Sequence, residues 1–123
     1  MGNRYPAGCE RLPNYEISTV IGELRQCDFF LGLASGLTWL AWTLAVPTFF
    51  IEGGTSHVTM PTALFKNTAS NPAVCRECFV RYELDRGKWD WCPDHSIDGR
   101  KFECTTTVTS ASVIDAIKKY LIV

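Results

Sequence analysis

The feature that most constrains this sequence is an uncharged apolar run at residues 29–51, FFLGLASGLTWLAWTLAVPTFFI. A helix needs roughly 20 consecutive apolar residues to cross a bilayer, so the length of the run alone would allow a membrane span. Gly32 and Gly36 interrupt the run near its start, and Pro47 interrupts it near its end, where the residue before the proline is displaced from helical geometry. We therefore predict no membrane span and divide the run into shorter elements.

These elements are a strand at residues 28–33, a turn at residues 34–36, a helix at residues 37–45 and a second strand at residues 47–51. Two parallel strands joined by a helix form a βαβ unit, and strands that are covered on both faces are continuous apolar runs. We therefore expect both strands to be buried. The pattern predicts an α/β fold with a partial Rossmann-like parallel sheet.

The turn at Ser35 and Gly36 lies where the first strand ends and the helix begins. Backbone N–H groups at a helix N-terminus lack partners within the helix and favour an anion, so the turn suits a phosphate group. A glycine-containing turn that binds no ligand is an equally good interpretation of these residues alone.

Two further amphipathic helices flank this unit, and the second of them has Thr109 or Ser110 as its N-cap. Their apolar positions recur at helical spacing: Ile17, Val20, Ile21 and Leu24 in the first, and Val113, Ile114, Ile117 and Leu121 in the second. We predict a single domain that consists of a loop-like leader (residues 1–14), the βαβ part (15–70), a cysteine-rich segment (71–108) and a C-terminal helix (109–123).

The charge balance disfavours one class of partner. Lys and Arg total 12 against 13 Asp and Glu, which gives a net charge of -1 and no basic run. Nucleic-acid binding is therefore not expected. Residues 1–16 lack the apolar segment of a secretory signal, so we expect a cytoplasmic protein.

Four of the six cysteines have the spacing of a metal site: Cys75 and Cys78 form a C-x2-C pair, and Cys92 and Cys104 follow in a polar, loop-like segment. A C-x2-C turn presents two thiolates to one ion, and two later thiolates complete a tetrahedron. We call residues 71–108 the cysteine finger. Iron and zinc both suit thiolate ligands, and free or disulfide-paired cysteines are the alternative.

His95 and Cys27 are two further residues with the chemistry of metal ligands. His95 is either a substitute ligand or, more simply, a residue beside the ligands or on the surface. Cys27 ends the first amphipathic helix and is expected to be a small buried apolar residue.

Two motifs occur in order, DFFLGLASGLTWLAWTLAVP and then VCRECFV, WDWCPDH and FECT. The first resembles the diphosphate-binding segment of the glycosyltransferase family 9 heptosyltransferases. The second resembles the four-cysteine iron finger in the C-terminal half of the bacterial autotransporter heptosyltransferases. Together they cover residues 15 to 120, so the chain is similar to the later part of the C-terminal domain in that family.

The resemblance implies a GT-B architecture and transfer of heptose from ADP-heptose to Ser or Thr hydroxyls of autotransporter adhesins. Iron, with zinc as the alternative, would be held by Cys75, Cys78, Cys92 and Cys104. The diphosphate would contact Ser35, Gly36, Leu37 and Thr38. Two departures weaken a role in lipopolysaccharide synthesis: Ala34 stands where that branch has an acidic residue, and Trp39 where it has a histidine.

The resemblance also implies that the acceptor-binding N-terminal domain and its general base have no counterpart in this sequence. Glu52 and Asp94 are the acids near the matched segments, and neither matches a known base position. The catalytic residues are therefore unknown, and a companion chain that supplies the N-terminal half is one expectation. Self-association into a homo-oligomer is another.

The alternative function is a non-catalytic, metal-stapled interaction or assembly module derived from the family. Aromatic residues of the cysteine finger would then contact a partner, although packing over the metal site is the simpler interpretation of them. These residues are Phe79, Tyr82, Trp89 and Trp91.

Overall fold

The structure is a computed structural model that describes residues 7–12, 16–54 and 68–121. Within these ranges, five helices and three strands occur in the order α1 (Ile17–Leu24), β1 (Phe30–Leu33), α2 (Gly36–Thr43), β2 (Thr48–Ile51), β3 (Thr68–Ala69), α3 (Cys78–Arg81), α4 (Glu103–Thr106) and α5 (Ser110–Leu121). The strands form one parallel sheet in the order β1-β2-β3. This confirms the predicted α/β fold with a parallel sheet.

The βαβ unit is formed by β1, α2 and β2. Phe30 pairs with Thr48, and Leu33 pairs with Ile51, so the two strands end at the same edge of the sheet. The helix ends at Thr43, two residues earlier than predicted, because Ala45 has a positive φ of 59° and Pro47 follows. The third strand, β3, was not predicted from the sequence.

The predicted burial of the two strands is right for β2 and wrong for β1. Phe49 and Phe50 of β2 are buried in the middle of the sheet. In β1 the burial alternates, and Leu31 and Leu33 are exposed. The reason is that α5 packs against β2 and β3 on that face, and β1 lies beyond it at the edge of the described sheet. An uninterrupted apolar sequence does not reveal that position.

The core lies on both sides of the sheet. On one side Leu24, Ala41 and Val46 are buried together, and Phe30 packs against them, which joins α1 and α2 to β1. On the other side the ring of Phe49 meets Tyr120 of α5 edge to face at 5.2 Å between centroids.

The predicted N-cap of the C-terminal helix is confirmed, whereas the predicted burial of Cys27 is wrong. Thr109 caps α5, because its hydroxyl accepts a hydrogen bond from the Ser112 N–H at 3.2 Å. Cys27 is exposed rather than buried, and its thiol donates to the Glu23 carbonyl at 3.3 Å. Within the described ranges, the structure contains no helix that is both long enough and apolar enough to cross a bilayer.

Replacement of Phe50 tests the packing of the central strand. Phe50→Ala should lower the free energy of unfolding by about 3–5 kcal/mol, because the removed ring is 0% exposed and leaves a cavity. Phe29→Ala is the matched control, since Phe29 is 37% exposed and its loss should cost clearly less. Urea denaturation measures both values, and equal losses would contradict this packing.

Candidate metal centre and the adjoining sheet edge

The carboxyl ends of the three strands bring three short segments to one edge of the sheet. Ser35 follows β1, Glu52 and Gly53 follow β2, and Ser70 follows β3. The Glu52 N–H donates to the Ala69 carbonyl at 2.9 Å, which ties the second segment to the third. Ligands of open α/β sheets bind at this type of edge. The sequence GGTSH at residues 53–57 predicts a loop at this edge, a usual place for ligand contacts, and residues 55–57 lie outside the described residues.

The predicted diphosphate segment lies at the start of α2. Ser35 is the N-cap in an extended conformation, and its side chain makes no capping hydrogen bond to the helix. Ser35, Gly36 and Leu37 are exposed. The amides of this first turn are therefore not satisfied by a side-chain cap, which is the condition that an anion site at a helix N-terminus requires.

Thr38 is buried, unlike the three residues before it. Its side chain is fully buried, and its hydroxyl donates to the Leu33 carbonyl at 2.5 Å. This bond fixes the first turn of α2 against the end of β1. The hydroxyl is therefore engaged in the fold, and a contact between Thr38 and a diphosphate stays a prediction for its backbone amide.

The four predicted metal ligands lie in one region of the cysteine finger. Cys78, Cys92 and Cys104 are buried and Cys75 is half-buried, and all four are free thiols. Cys78 is the first residue of α3, and Cys104 lies in α4. Their assignment as a ligand set for one ion stays a prediction.

The thiol pKa values show how these cysteines affect one another. Burial raises the pKa of Cys75, Cys78 and Cys104, and the nearby negative charges raise the pKa further. For Cys75 these charges include Asp94, Cys104 and Cys92, and for Cys104 they include Cys92. Thiolates at these positions would be poorly solvated and would repel one another, and a cation would remove both penalties. Among the described residues, however, no three of these four sulfurs lie within 4.8 Å of one another, so the structure does not bring them together as one ligand set.

Hydrogen-bond donors around the sulfurs also suit thiolates. The Phe102 N–H donates to Cys92 Sγ at 3.5 Å, and Arg81 donates to Cys78 Sγ at 3.7 Å. Bonds from the Thr105 side chain and nearby amides act to lower the pKa of Cys104, against the effect of burial. Donors of this kind stabilise a negatively charged sulfur.

Two residues in the left-handed region shape these turns. Glu77 has a φ of 63° directly before α3, and Phe102 has a φ of 61° directly before α4. Neither residue is glycine, so each conformation costs on the order of 1–3 kcal/mol, which contacts with the surrounding structure must offset. Each one turns the chain immediately before a helix that carries a cysteine.

The cysteine finger is attached to the loop after β2. The Glu77 N–H donates to the Gly53 carbonyl at 3.2 Å, and the Phe79 N–H donates to the Gly54 carbonyl at 3.1 Å. Arg76 lies 3.8 Å from the buried Glu52 carboxylate. Main-chain and ionic contacts together therefore join the cysteine finger to the carboxyl edge of the sheet.

The two acids noted in the sequence are both partnered in the structure. Asp94 accepts hydrogen bonds from Arg81 and from the Tyr82 hydroxyl, and the Arg81 guanidinium lowers the pKa of this carboxyl below its ordinary value. Glu52 pairs with Arg76. Both carboxylates hold the cysteine finger in shape.

Of the four aromatic residues noted in the cysteine finger, three make contacts within it and one is exposed. The rings of Phe79 and Trp91 pack edge to face at 5.4 Å between centroids, and Tyr82 is bonded to Asp94. Trp89 is 94% exposed. Packing therefore involves three of the four aromatics, and Trp89 is the member of this set that is free to meet a partner.

A second group of metal-ligand types was missed in the sequence. Within the described parts of the chain, ligand atoms of Cys75, His95 and Glu103 all lie within 4.8 Å of one another. His95 was considered as a substitute ligand, whereas Glu103 was not considered. Glu103 directly precedes Cys104 in the sequence, and this position beside a predicted ligand could have indicated it as a further ligand.

Comparison with known proteins gives a consistent result. No family model matches the chain. The autotransporter heptosyltransferase BAHTCr of Citrobacter rodentium is 32% identical over 95% of this chain and 29% of that protein. The autotransporter heptosyltransferase TibC of Escherichia coli O78:H11 is 34% identical over 95% of this chain and 29% of that protein.

A solved structure agrees with these relatives. The crystal structure of dodecameric, iron-containing TibC in complex with ADP-D-β-D-heptose matches 93% of this chain and 30% of that chain, with a TM-score of 0.76 and 32% identity. The chain is related to the autotransporter heptosyltransferases in sequence and fold. This confirms the resemblance inferred from the two motifs. The chain spans about 29% of the length of the curated relatives it matches.

The contact between Gly53 and α4 is testable by substitution. A methyl group on Gly53 would lie 2.4 Å from Thr105 Cγ2 and 3.5 Å from Cys104 Sγ. Gly53→Ala should therefore destabilise the chain by about 1–3 kcal/mol in urea denaturation. Thr105→Ser removes the opposing methyl group, so the double variant should regain most of the loss.

Gly99→Ala is the matched control for this experiment, because a methyl group at Gly99 meets nothing within 4 Å. If Gly53→Ala and Gly99→Ala were equally stable, the close approach of the cysteine finger to Gly53 would be refuted.

Proposed function

We propose that this chain provides the nucleotide-sugar-binding edge and the iron-binding finger of a protein O-heptosyltransferase. The donor is ADP-heptose, and the acceptors are Ser or Thr hydroxyls of autotransporter adhesins. The observation that carries the proposal is the 93% coverage of this chain by TibC in its complex with ADP-D-β-D-heptose. The motif FECT and the motif WCPDH support the same branch of the family.

In this proposal the start of α2 binds the donor diphosphate. Ser35, Gly36 and Leu37 are exposed at the carboxyl edge of β1, and the Ser35 side chain makes no capping hydrogen bond. Preorganised N–H groups at this position would stabilise the negative charge that develops on the departing ADP. The chain's own contribution to catalysis is thus to bind the donor and to stabilise the leaving group.

The acceptor side of the reaction belongs to other parts of the GT-B architecture. Glu52 and Asp94 are held by Arg76 and Arg81, so neither is assigned the role of general base. We infer that the base and the acceptor site lie in a region that corresponds to the portion of the relatives beyond this match. The chain therefore functions together with such a region, whether joined to it or supplied by a companion chain.

For the metal, we propose that Cys75, Cys78, Cys92 and Cys104 hold one iron ion. The ion would supply a structural link between α3, α4 and the loop that carries Cys92. Iron is preferred to zinc because TibC is iron-containing. Free thiols persist in a reducing compartment, which supports a cytoplasmic location.

The second candidate is an assembly module, and the exposure of Trp89 favours it. An aromatic ring that is 94% exposed on a rigid, metal-bound loop suits a protein contact. TibC is dodecameric, so self-association is the form of assembly that we propose. Absence of donor binding in a metal-loaded protein would favour this candidate over the first.

Substitution of Gly36 tests donor binding without a loss of stability. A methyl group there meets nothing within 4 Å, so Gly36→Ala should keep or slightly raise the stability of the fold. The same methyl group would obstruct a phosphate that approaches the backbone. We expect ADP-heptose or ADP to bind the unsubstituted chain in calorimetry and at least tenfold more weakly to the variant.

Gly99→Ala is again the control and should bind the donor normally. Unchanged affinity in Gly36→Ala would remove the start of α2 from the donor site, and no affinity in the unsubstituted chain would remove the proposed donor function.

The metal assignment predicts a selective effect of cysteine substitution. Cys92→Ser should remove most of the bound iron and the reddish thiolate-to-iron absorption, because it deletes a buried ligand. Cys27→Ser should change neither, since Cys27 is exposed, lies just beyond α1 and donates to the Glu23 carbonyl of that helix. Elemental analysis and absorption spectra measure both. Equal iron content in the two variants would exclude the four-cysteine assignment.

A further inference from the structure

A compact group of mixed ligand types lies at one side of the predicted four-cysteine set. Its members are Cys75 Sγ, His95 Nε2 and Glu103 Oε1. The distance from His95 Nε2 to Glu103 Oε1 is 3.5 Å, and that from Cys75 Sγ to Glu103 Oε1 is 4.0 Å. Ligand atoms of a tetrahedral zinc ion are separated by about 3.3–3.8 Å, so the group needs little closure to hold one.

The orientation of His95 is that of a metal ligand. Its Nδ1 lies 2.8 Å from the Asp98 carboxylate, so that Nε2 is the ring nitrogen that faces Glu103, at 3.5 Å from Oε1. A histidine that donates its other ring N–H to a carboxylate is the usual arrangement around metal ions in proteins. The imidazole is also largely buried, with only 11% of the side chain exposed.

Glu103 is oriented in a similar way. Arg100 donates to both of its carboxylate oxygens, at 2.5 and 2.9 Å, and the side chain is only 13% exposed. A carboxylate oxygen has two lone pairs, so the bond from Arg100 leaves Oε1 able to bind a cation. Arg100 and Asp98 are themselves joined, because the Arg100 N–H donates to Asp98 at 2.8 Å.

We propose that Cys75, His95 and Glu103 bind a divalent cation of the zinc class, separate from the ion of the four-cysteine set. Three protein ligands of sulfur, nitrogen and oxygen type leave a fourth position open to water or to a small ligand. Cys75 is common to both sets, so its sulfur would be a ligand to both cations when both are bound. The proposal shares this residue with the four-cysteine assignment, but His95 and Glu103 belong to the new site alone.

The test is a titration of the full chain, prepared without metal under reducing conditions, with Zn²⁺ against a chromophoric chelator. We expect two bound ions per chain in two classes of affinity. His95→Ala and Glu103→Gln should each abolish the weaker class or lower its affinity at least tenfold, and leave the tighter class unchanged. Asp98→Asn should weaken the same class by about 10–100-fold, as loss of a supporting carboxylate does in other metal sites.

Asp90→Asn is the matched control, because Asp90 is a carboxylate of the same segment that pairs with Lys101 at 2.6 Å. It should leave both classes intact. Cys92→Ser separates the two proposals, since it should remove the tighter class and keep a His95-dependent one. Circular dichroism of each variant checks that the chain remains folded.

Two results would overturn the inference. One is a single ion per chain in the unsubstituted protein, and the other is a second class that survives both His95→Ala and Glu103→Gln. Loss of the tighter class in Cys92→Ser together with either result would leave the four-cysteine assignment standing and reject only the mixed site.

Discussion

The attachment of the cysteine finger to Gly53 and Gly54 is the contact on which the rest of the structure depends. Two main-chain hydrogen bonds join Glu77 and Phe79 to this glycine pair. The finger itself buries few large apolar side chains, and much of it is exposed. Its shape therefore relies on hydrogen bonds, ion pairs and the four buried or half-buried thiols, which is the usual solution for a small unit without an apolar core.

This attachment places two kinds of chemistry at one edge of the sheet. Because β1 and β2 are parallel and end in register, the start of α2 and the loop after β2 lie at the same edge. Ser35, Gly36 and Leu37 are exposed at the first of these segments, and the second carries the contacts to the cysteine finger. The main chain of Gly53 therefore joins the cysteine finger directly to this edge, through the hydrogen bond from the Glu77 N–H.

The sequence predicted the parts of the structure that depend on local patterns. The βαβ unit follows from apolar runs broken by Gly36 and Pro47, and the cysteine pattern follows from spacing. The exposure of β1 could not be predicted, because it depends on which strand lies at the sheet edge. The hydrogen bond from the Thr38 hydroxyl to the Leu33 carbonyl could not be predicted either. A threonine at a helix start can direct its hydroxyl to a ligand or to a strand, and the sequence does not distinguish the two.

The group of Cys75, His95 and Glu103 was hidden for a related reason. Its assembly depends on Phe102, whose left-handed conformation reverses the chain just before Glu103. Glycine usually marks such a position in a sequence, and here phenylalanine occupies it. A conformation that costs on the order of 1–3 kcal/mol is retained where the surroundings stabilise it. The Phe102 N–H donates to Cys92 Sγ in this same conformation. A cation at Cys92 would replace the thiol proton, and the resulting thiolate would accept this hydrogen bond more strongly and so help to hold the strained turn.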